Sequence, residues 1–206
     1  MRIVFVCTGN VCRSPLAERL AATWAGEFLS GSPELGGVQL VSAGVEATVG
    51  EPMDRHSAEA LMQLGGDPAG FRSQVLDREL LADAALVFTM TRKQRDAVLG
   101  LLPRGLRRTF TLTEAADLLQ RIDAPGLRLL PLTQRAQELG RRLDAARARR
   151  FTTDSDDVAD PISQRKAEHE AVASTIATAL RPLAEVLFPS VRSHPAVRVE
   201  DDPIAS

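Results

Sequence analysis

The chain has 206 residues, 44% of them apolar and 25% charged, a composition that fits a soluble globular protein and excludes a collagenous, membrane-embedded or wholly disordered one. Lys and Arg number 25 against 27 Asp and Glu, a net charge of −2, so no overall field draws the protein to nucleic acid or an anionic membrane, and any anion must be held by a local site. The length fits one domain at ~150 residues per domain, and 2 cysteines are too few for a disulfide framework or a four-thiolate metal centre.

Ile3 to Val6 is a short apolar run with β-branched and aromatic residues, the pattern of a strand buried on both faces of a parallel sheet. It is shorter than the ~7 to 15 apolar residues of a signal peptide, and no later run approaches the ~20 of a membrane span, so a cytoplasmic location is expected. After a polar turn, Leu16, Ala17, Leu20, Ala21, Trp24 and Ala25 recur at helical spacing, with Ser14 and Pro15 as cap and first-turn proline. The alternation continues with a strand at Val38 to Val41, a helix at Ser57 to Leu64, a strand at Ala84 to Met90, a helix at Thr91 to Leu101 and a last strand at Arg108 to Leu112. Alternating strands and helices joined by short polar links predict a parallel sheet covered on both faces, with ligands at the carboxyl ends of the strands. Residues 115–154 change character and look like an insertion. They carry a helix with Leu132, Ala136, Leu139, Leu143 and Ala146 on one face, and Arg141, Arg142, Arg147, Arg149 and Arg150 are expected to be solvated. Ala167 to Leu187 reads as a final amphipathic helix, and residues 189–206 as a flexible tail.

The informative segment runs from Cys7 to Pro15: Cys-Thr-Gly-Asn-Val-Cys-Arg-Ser-Pro. A loop that wraps from a strand into a helix N-terminus aims successive N–H groups at one point, a nest for a tetrahedral oxyanion strengthened by the helix dipole. Gly9 and Asn10 supply the unusual backbone angles of such a turn, and Arg13 adds a bidentate pair to two phosphate oxygens. Cys7 at the bottom of this cradle is favoured as thiolate and becomes a nucleophile. There is no Gly-Lys-Ser/Thr ending and no Gly-x-Gly-x-x-Gly, so the loop holds one phosphate-sized group rather than a nucleotide. Thr8, Gly9, Asn10, Val11, Cys12 and Ser14 are the candidate substrate-binding residues around Cys7 and Arg13. Ser14 reads equally as a helix cap or as a hydroxyl bonded to the Cys7 sulfur.

The run Val-Cys-Thr-Gly-Asn-Val-Cys-Arg-Ser-Pro-Leu-Ala-Glu resembles the signature of the low molecular weight protein tyrosine phosphatases. Val41 to Gly44, Phe71 to Ser73, Ala82 to Val87 and Asp160-Pro161 are similar to further stretches of that family. The resemblance covers residues 1 to about 114 and 154 to 187, and implies a three-layer sandwich around a four-stranded parallel sheet, the flavodoxin-like fold, as one domain over 1–188. It implies a phosphatase that needs no metal or other cofactor and acts on phosphorylated protein by in-line attack of Cys7, with a cysteinyl-phosphate held by Arg13 and the loop. The family's general acid is the aspartate of an Asp-Pro before the last helix. Among Asp67-Pro68, Asp160-Pro161 and Asp202-Pro203 this selects Asp160, which then activates the hydrolytic water. Cys12 reads either as a small buried residue or as a partner for a reversible disulfide with Cys7. His56, His169 and His194 lie far apart without ligand spacing and are expected to be ordinary histidines.

The sequence departs from the family where aromatic side chains wall the phosphotyrosine pocket: those places read Glu46-Ala47-Thr48 and Ile162-Ser163, and the chain has no tyrosine. Arginine-directed relatives resemble this loop with a threonine where Val11 stands, and thiol-coupled arsenate reductases use a further late cysteine that is missing here. Phosphotyrosine hydrolysis is therefore the first reading, with arginine phosphatase, arsenate reductase and a catalytically idle phosphate-binding protein as alternatives. Expected partners are a phosphorylated protein and phosphate or other oxyanions, without nucleic acid or membrane, and a monomer or weak dimer is expected.

Overall fold

A computed structural model describes residues 1–150 and 156–189. Four strands, β1 (Arg2–Cys7), β2 (Gln39–Gly44), β3 (Ala84–Thr89) and β4 (Thr109–Thr111), form one sheet in the order β2-β1-β3-β4, all parallel. β1 is central because its residues are apolar on both faces. Ile3, Phe5 and Cys7 enter the larger core cluster, whereas Val4 and Val6 enter a smaller one with Leu76, Leu81, Val98 and Leu102 on the other side. Each parallel neighbour needs a crossover, and helices supply them: α1 (Arg13–Phe28), α2 (Arg55–Gln63), α3 (Arg78–Ala82), α4 (Arg92–Leu101), α5 (Leu112–Leu119), α6 (Leu132–Arg147) and α7 (Lys166–Leu187). The result is the expected three-layer sandwich. From β1 the chain builds outward to β2, then returns to place β3 on the other side. The carboxyl end of β1 is thus the topological switch point, where such sheets bind ligands.

Two short helices escaped the periodicity argument. α3 has only five residues, capped by Asp77 accepting from the Leu80 N–H at 2.7 Å. The last strand stops at Thr111 because α5 starts at Leu112, and Thr111 and Glu114 close a reciprocal capping box. That Thr-x-x-Glu spacing was a readable helix start.

Among its described residues, the segment 115–154 has no core of its own. Leu118 of α5 and Ala136, Leu139 and Leu143 of α6 belong to the main core, and at Gly140 an added Cβ would sit 3.1 Å from Leu86 Cδ2 of β3. The arginines of this region divide. Arg141 and Arg149 are exposed as expected, but Arg147 lies 4.3 Å over the Phe110 ring and bonds Glu114 at 2.9 Å, while the half-buried Arg150 lies between Asp117 and Asp156. Their charges are used inside the fold, because α6 packs its arginine-bearing end against α5 and β4. The expected tail lies outside the described residues, save Pro189. Among the described residues no helix is long and apolar enough to cross a membrane.

Candidate active site

Cys7 is the last residue of β1, 2% exposed, and the next five residues turn the chain into α1. Asn10 takes the left-handed conformation, φ +54°, that the turn requires. Gly9 does not: its φ is outside the positive range, and a Cβ there would meet only Val11 Cγ2, at 3.8 Å. The expectation that both residues supply unusual angles holds for Asn10 alone. The demand for glycine lies elsewhere, at Gly44 on β2, where a Cβ would stand 2.5 Å from the Thr8 carbonyl oxygen and 3.0 Å from the Asn10 nitrogen.

Asn10 is fully buried and organises the loop. Its N–H donates to Cys7 Sγ at 3.3 Å, and its Nδ2 donates to Ser14 Oγ and Ser42 Oγ, both at 2.9 Å. Its Oδ1 accepts from the Gln74 N–H at 2.9 Å. Ser14 Oγ lies 3.0 Å from Cys7 Sγ. The helix begins two residues earlier than the cap reading assumed, so Ser14 is inside α1, and Cys12 occupies the cap position with no side-chain cap bond. The Ser14 hydroxyl is thus free of capping duty and faces the sulfur. Behind it, Ser42 donates to Glu18 at 2.5 Å, and burial raises the affinity of the Glu18 carboxylate for a proton above the ordinary range.

The N–H groups of Thr8, Gly9, Val11 and Cys12 find no acceptor among the described residues, so four donors remain in the loop that surrounds the sulfur. Thr8 is held by Gln94 of α4, whose Nε2 donates to the Thr8 hydroxyl at 3.1 Å while its Oε1 accepts from the Met90 and Thr91 N–H groups. Arg13 is 3% exposed. Its Nη1 donates to the Val158 carbonyl at 3.1 Å and its Nη2 pairs with Asp160 Oδ2 at 2.5 Å, leaving Nε buried and unpartnered.

The structure brings Asp160 to the loop although 147 residues separate it from Arg13. The approach is built by bonds from several elements. The Val158 N–H donates to the Met90 carbonyl at the end of β3, the Arg92 N–H donates to Asp157, Thr113 of α5 donates to the Asp156 carbonyl, and Arg150 grips the Asp156 carboxylate. Asp160 is 44% exposed on its side chain, at the rim. Asp67 accepts from the Ala69 N–H in a turn and plays no part here, and Asp202 is outside the described residues.

Cys12 is 4% exposed, and burial pushes its thiol up to about 12, with the Ser57 bond opposing. His169 of α7 is buried, with Nδ1 2.8 Å from the Ser57 hydroxyl and 3.2 Å from Asp54 Oδ1, and His194 is outside the described residues. A cavity of about 780 Å³, lined by Thr113, Asp117, Gln120, Thr175 and Thr178 among others, includes no residue of the Cys7 loop. The Cys7 loop, whose N–H groups could hold one anion, is a different place.

The family sequence model of the low molecular weight phosphotyrosine protein phosphatases matches residues 2–121. The chain belongs to this family. A protein-arginine-phosphatase of Geobacillus stearothermophilus is 36% identical over 113 residues, 55% of this chain and 70% of that one. A low molecular weight protein-tyrosine-phosphatase of Staphylococcus epidermidis is 34% identical over 125 residues, 61% and 81% of the two chains. The solved arginine phosphatase of Geobacillus stearothermophilus superposes with a TM-score of 0.63 at 28% identity, covering 90% of this chain and 92% of that one. This low molecular weight phosphatase is an enzyme, and the structural similarity extends well past residue 121, where the family match ends.

Proposed function

We propose that the protein hydrolyses phosphotyrosine, as an aryl phosphate monoester on protein, by transfer of the phosphoryl group to Cys7 and then to water. The observation that carries this reading is the convergence on one sulfur of the Asn10 N–H at 3.3 Å and the Ser14 hydroxyl at 3.0 Å, beside Arg13 with its Asp160 partner. The N–H groups of the loop and the buried Nε of Arg13 are donors for the equatorial oxygens of the phosphoryl group.

The Arg13–Asp160 pair gives the order of events. An arriving phosphate dianion competes with the Asp160 carboxylate for the guanidinium, so substrate takes Arg13 and releases Asp160. Asp160, freed from the guanidinium, stands at the rim, where as the carboxylic acid it donates a proton to the departing phenolic oxygen. Sulfur leaves again in the second step, when the Ser14 hydroxyl stabilises the thiolate and the Asp160 carboxylate takes a proton from the attacking water. Cys12 stays a thiol under these conditions and serves the loop through packing, with a disulfide to Cys7 as its second reading.

One specific observation favours a second reading. The rim residues Glu46 and Thr48 and the half-exposed Ile162 offer no aromatic ring to stack on a phenyl group, and a protein-arginine-phosphatase is among the relatives. Phosphoarginine is therefore the alternative substrate. We place the enzyme in the cytoplasm, as one domain over 1–188 with 115–154 as an insertion, a monomer or weak dimer. The test is hydrolysis of phosphotyrosine and phosphoarginine peptides in EDTA. Wild type is expected to prefer phosphotyrosine, Cys7→Ser to be inactive on both, and Asp160→Ala to lose about 10²- to 10⁴-fold on the aryl ester. Preference for phosphoarginine would move the assignment to the alternative.

A further inference from the structure

Beside the phosphate loop, three side chains from three elements converge: Cys12 from the loop, Asp54 from the N-cap of α2, and His169 from α7. One donor atom of each, the Cys12 sulfur, an Asp54 carboxylate oxygen and a His169 ring nitrogen, lies within 4.8 Å of both others. We propose that Cys12, Asp54 and His169 form a binding site for a divalent transition metal of the zinc class, separate from the catalytic thiolate and not required for hydrolysis.

The donor set is the argument. A thiolate, an imidazole and a carboxylate are a mixed set that suits zinc and excludes magnesium and calcium, which demand oxygens. Ligand atoms around a tetrahedral zinc, at ~2.3 Å for sulfur and ~2.0 to 2.1 Å for nitrogen and oxygen, stand roughly 3.3 to 3.6 Å from one another. His169 Nδ1 and Asp54 Oδ1 already lie 3.2 Å apart, so this edge of the tetrahedron exists, and the sulfur has to approach by no more than about 1.5 Å. The fourth position falls to the hydroxyl of Ser57, 2.8 Å from the same Nδ1, or to water. Cys12 and His169 are 4% and 2% exposed, and Asp54, at 26%, provides the entry.

The supporting bonds are in place. The Asp54 N–H donates to the Val11 carbonyl at 2.8 Å and Asp54 Oδ1 accepts from the Ser57 N–H at 3.0 Å, so the Asp54 backbone is tied to the loop and its carboxylate to the start of α2. Binding exchanges protons for metal. The Cys12 S–H bond breaks and its proton leaves to solvent, the sulfur binds as thiolate, and His169 binds as the neutral ring with its proton on Nε2. Nothing is oxidised. The metal would tie the loop, α2 and α7 together next to Arg13, and while bound it would keep the Cys12 sulfur from pairing with Cys7. Linear spacing hid the site, since Cys12, Asp54 and His169 belong to no short motif.

The test uses cobalt(II) as the probe, added to the dialysed full chain, with thiolate-to-cobalt charge-transfer absorption as the readout and zinc(II) as competitor. The expected result is a band that saturates at one equivalent, is displaced by zinc, persists in Cys7→Ser, disappears in Cys12→Ser and weakens tenfold or more in affinity in His169→Gln. Far-ultraviolet circular dichroism checks that each variant folds, and Asp54→Asn provides a further weakened site if Cys12→Ser does not. Absence of the band in wild type overturns the proposal. So does a band that survives Cys12→Ser and is lost in Cys7→Ser, which would put the cobalt on the catalytic sulfur. Neither outcome depends on phosphatase activity.

Discussion

Asn10 illustrates how much a single side chain does that the sequence shows only in outline. Its tolerance of a left-handed backbone is a property of the residue type and could be expected, but its three side-chain bonds reach Ser14, Ser42 and Gln74, residues far apart in the chain. Asn10→Ala keeps the volume small but frees the loop from β2. It is expected to lower kcat on an aryl phosphate by about 10²-fold, the scale of a ~1 Å misplacement of a reacting atom, with little change in secondary structure by circular dichroism. Glu18 lies behind the same network. Because burial raises its proton affinity in the folded state, its contribution to stability is complete below the ordinary glutamate value of about 4.3 and declines as pH rises through the higher folded value. Glu18→Gln removes that titration. Urea denaturation of the two proteins from pH 4 to pH 8 is expected to show the variant gaining on wild type as pH rises, and parallel curves would contradict the assignment. Cys12 makes a third prediction at this scale. With its thiol held up at about 12, it is expected to resist alkylation at neutral pH in the native protein, while inorganic phosphate protects Cys7; peptide mapping after iodoacetamide reads both.

At the scale of elements, the apolar strand Ile3 to Val6 and the long amphipathic helices were legible because burial imposes a clear period on them. α5 was lost in the supposed end of a strand, although Thr111 and Glu114 carried its capping box. The arginine-rich face of α6 was misread for a physical reason: an arginine with a long apolar stem can cover a ring or reach a buried carboxylate, and composition does not say which. Arg147 covers Phe110, and Arg150 holds Asp156, which is 1% exposed. Arg150→Leu removes the charge-assisted bonds that the guanidinium makes to the buried Asp156 carboxylate and is expected to destabilise by about 1.5 to 3 kcal/mol. Since Asp156 begins the segment that carries Asp160, the variant is also expected to lose more activity on a poor leaving group than on a good one. Equal losses on both would show that Arg150 supports the fold without positioning the acid.

For the whole molecule, the sheet order places β1 at the switch point, and the catalytic loop follows from that placement. Of the proposed site, Cys7, Arg13 and the loop are legible because they are contiguous, whereas Asp160, which the structure brings to Arg13, is reached only through family resemblance, since no local pattern links residues 13 and 160. The core role of residues 115–154 could not be read from composition, because Leu139 and Leu143 serve the main core equally well on an insertion or on a layer of the fold. Leu139→Ala is expected to cost about 2 to 5 kcal/mol in urea denaturation, as in any well-packed core.

The most direct measurement is acid-quenched peptide mapping of the enzyme during turnover of an aryl phosphate in EDTA. The thiolate mechanism requires a phosphoryl group on Cys7 and on no other residue, accumulating further in Ser14→Ala, where loss of the sulfur is slowed. Sustained hydrolysis by wild type with no label on Cys7, or undiminished hydrolysis by Cys7→Ser, would contradict it.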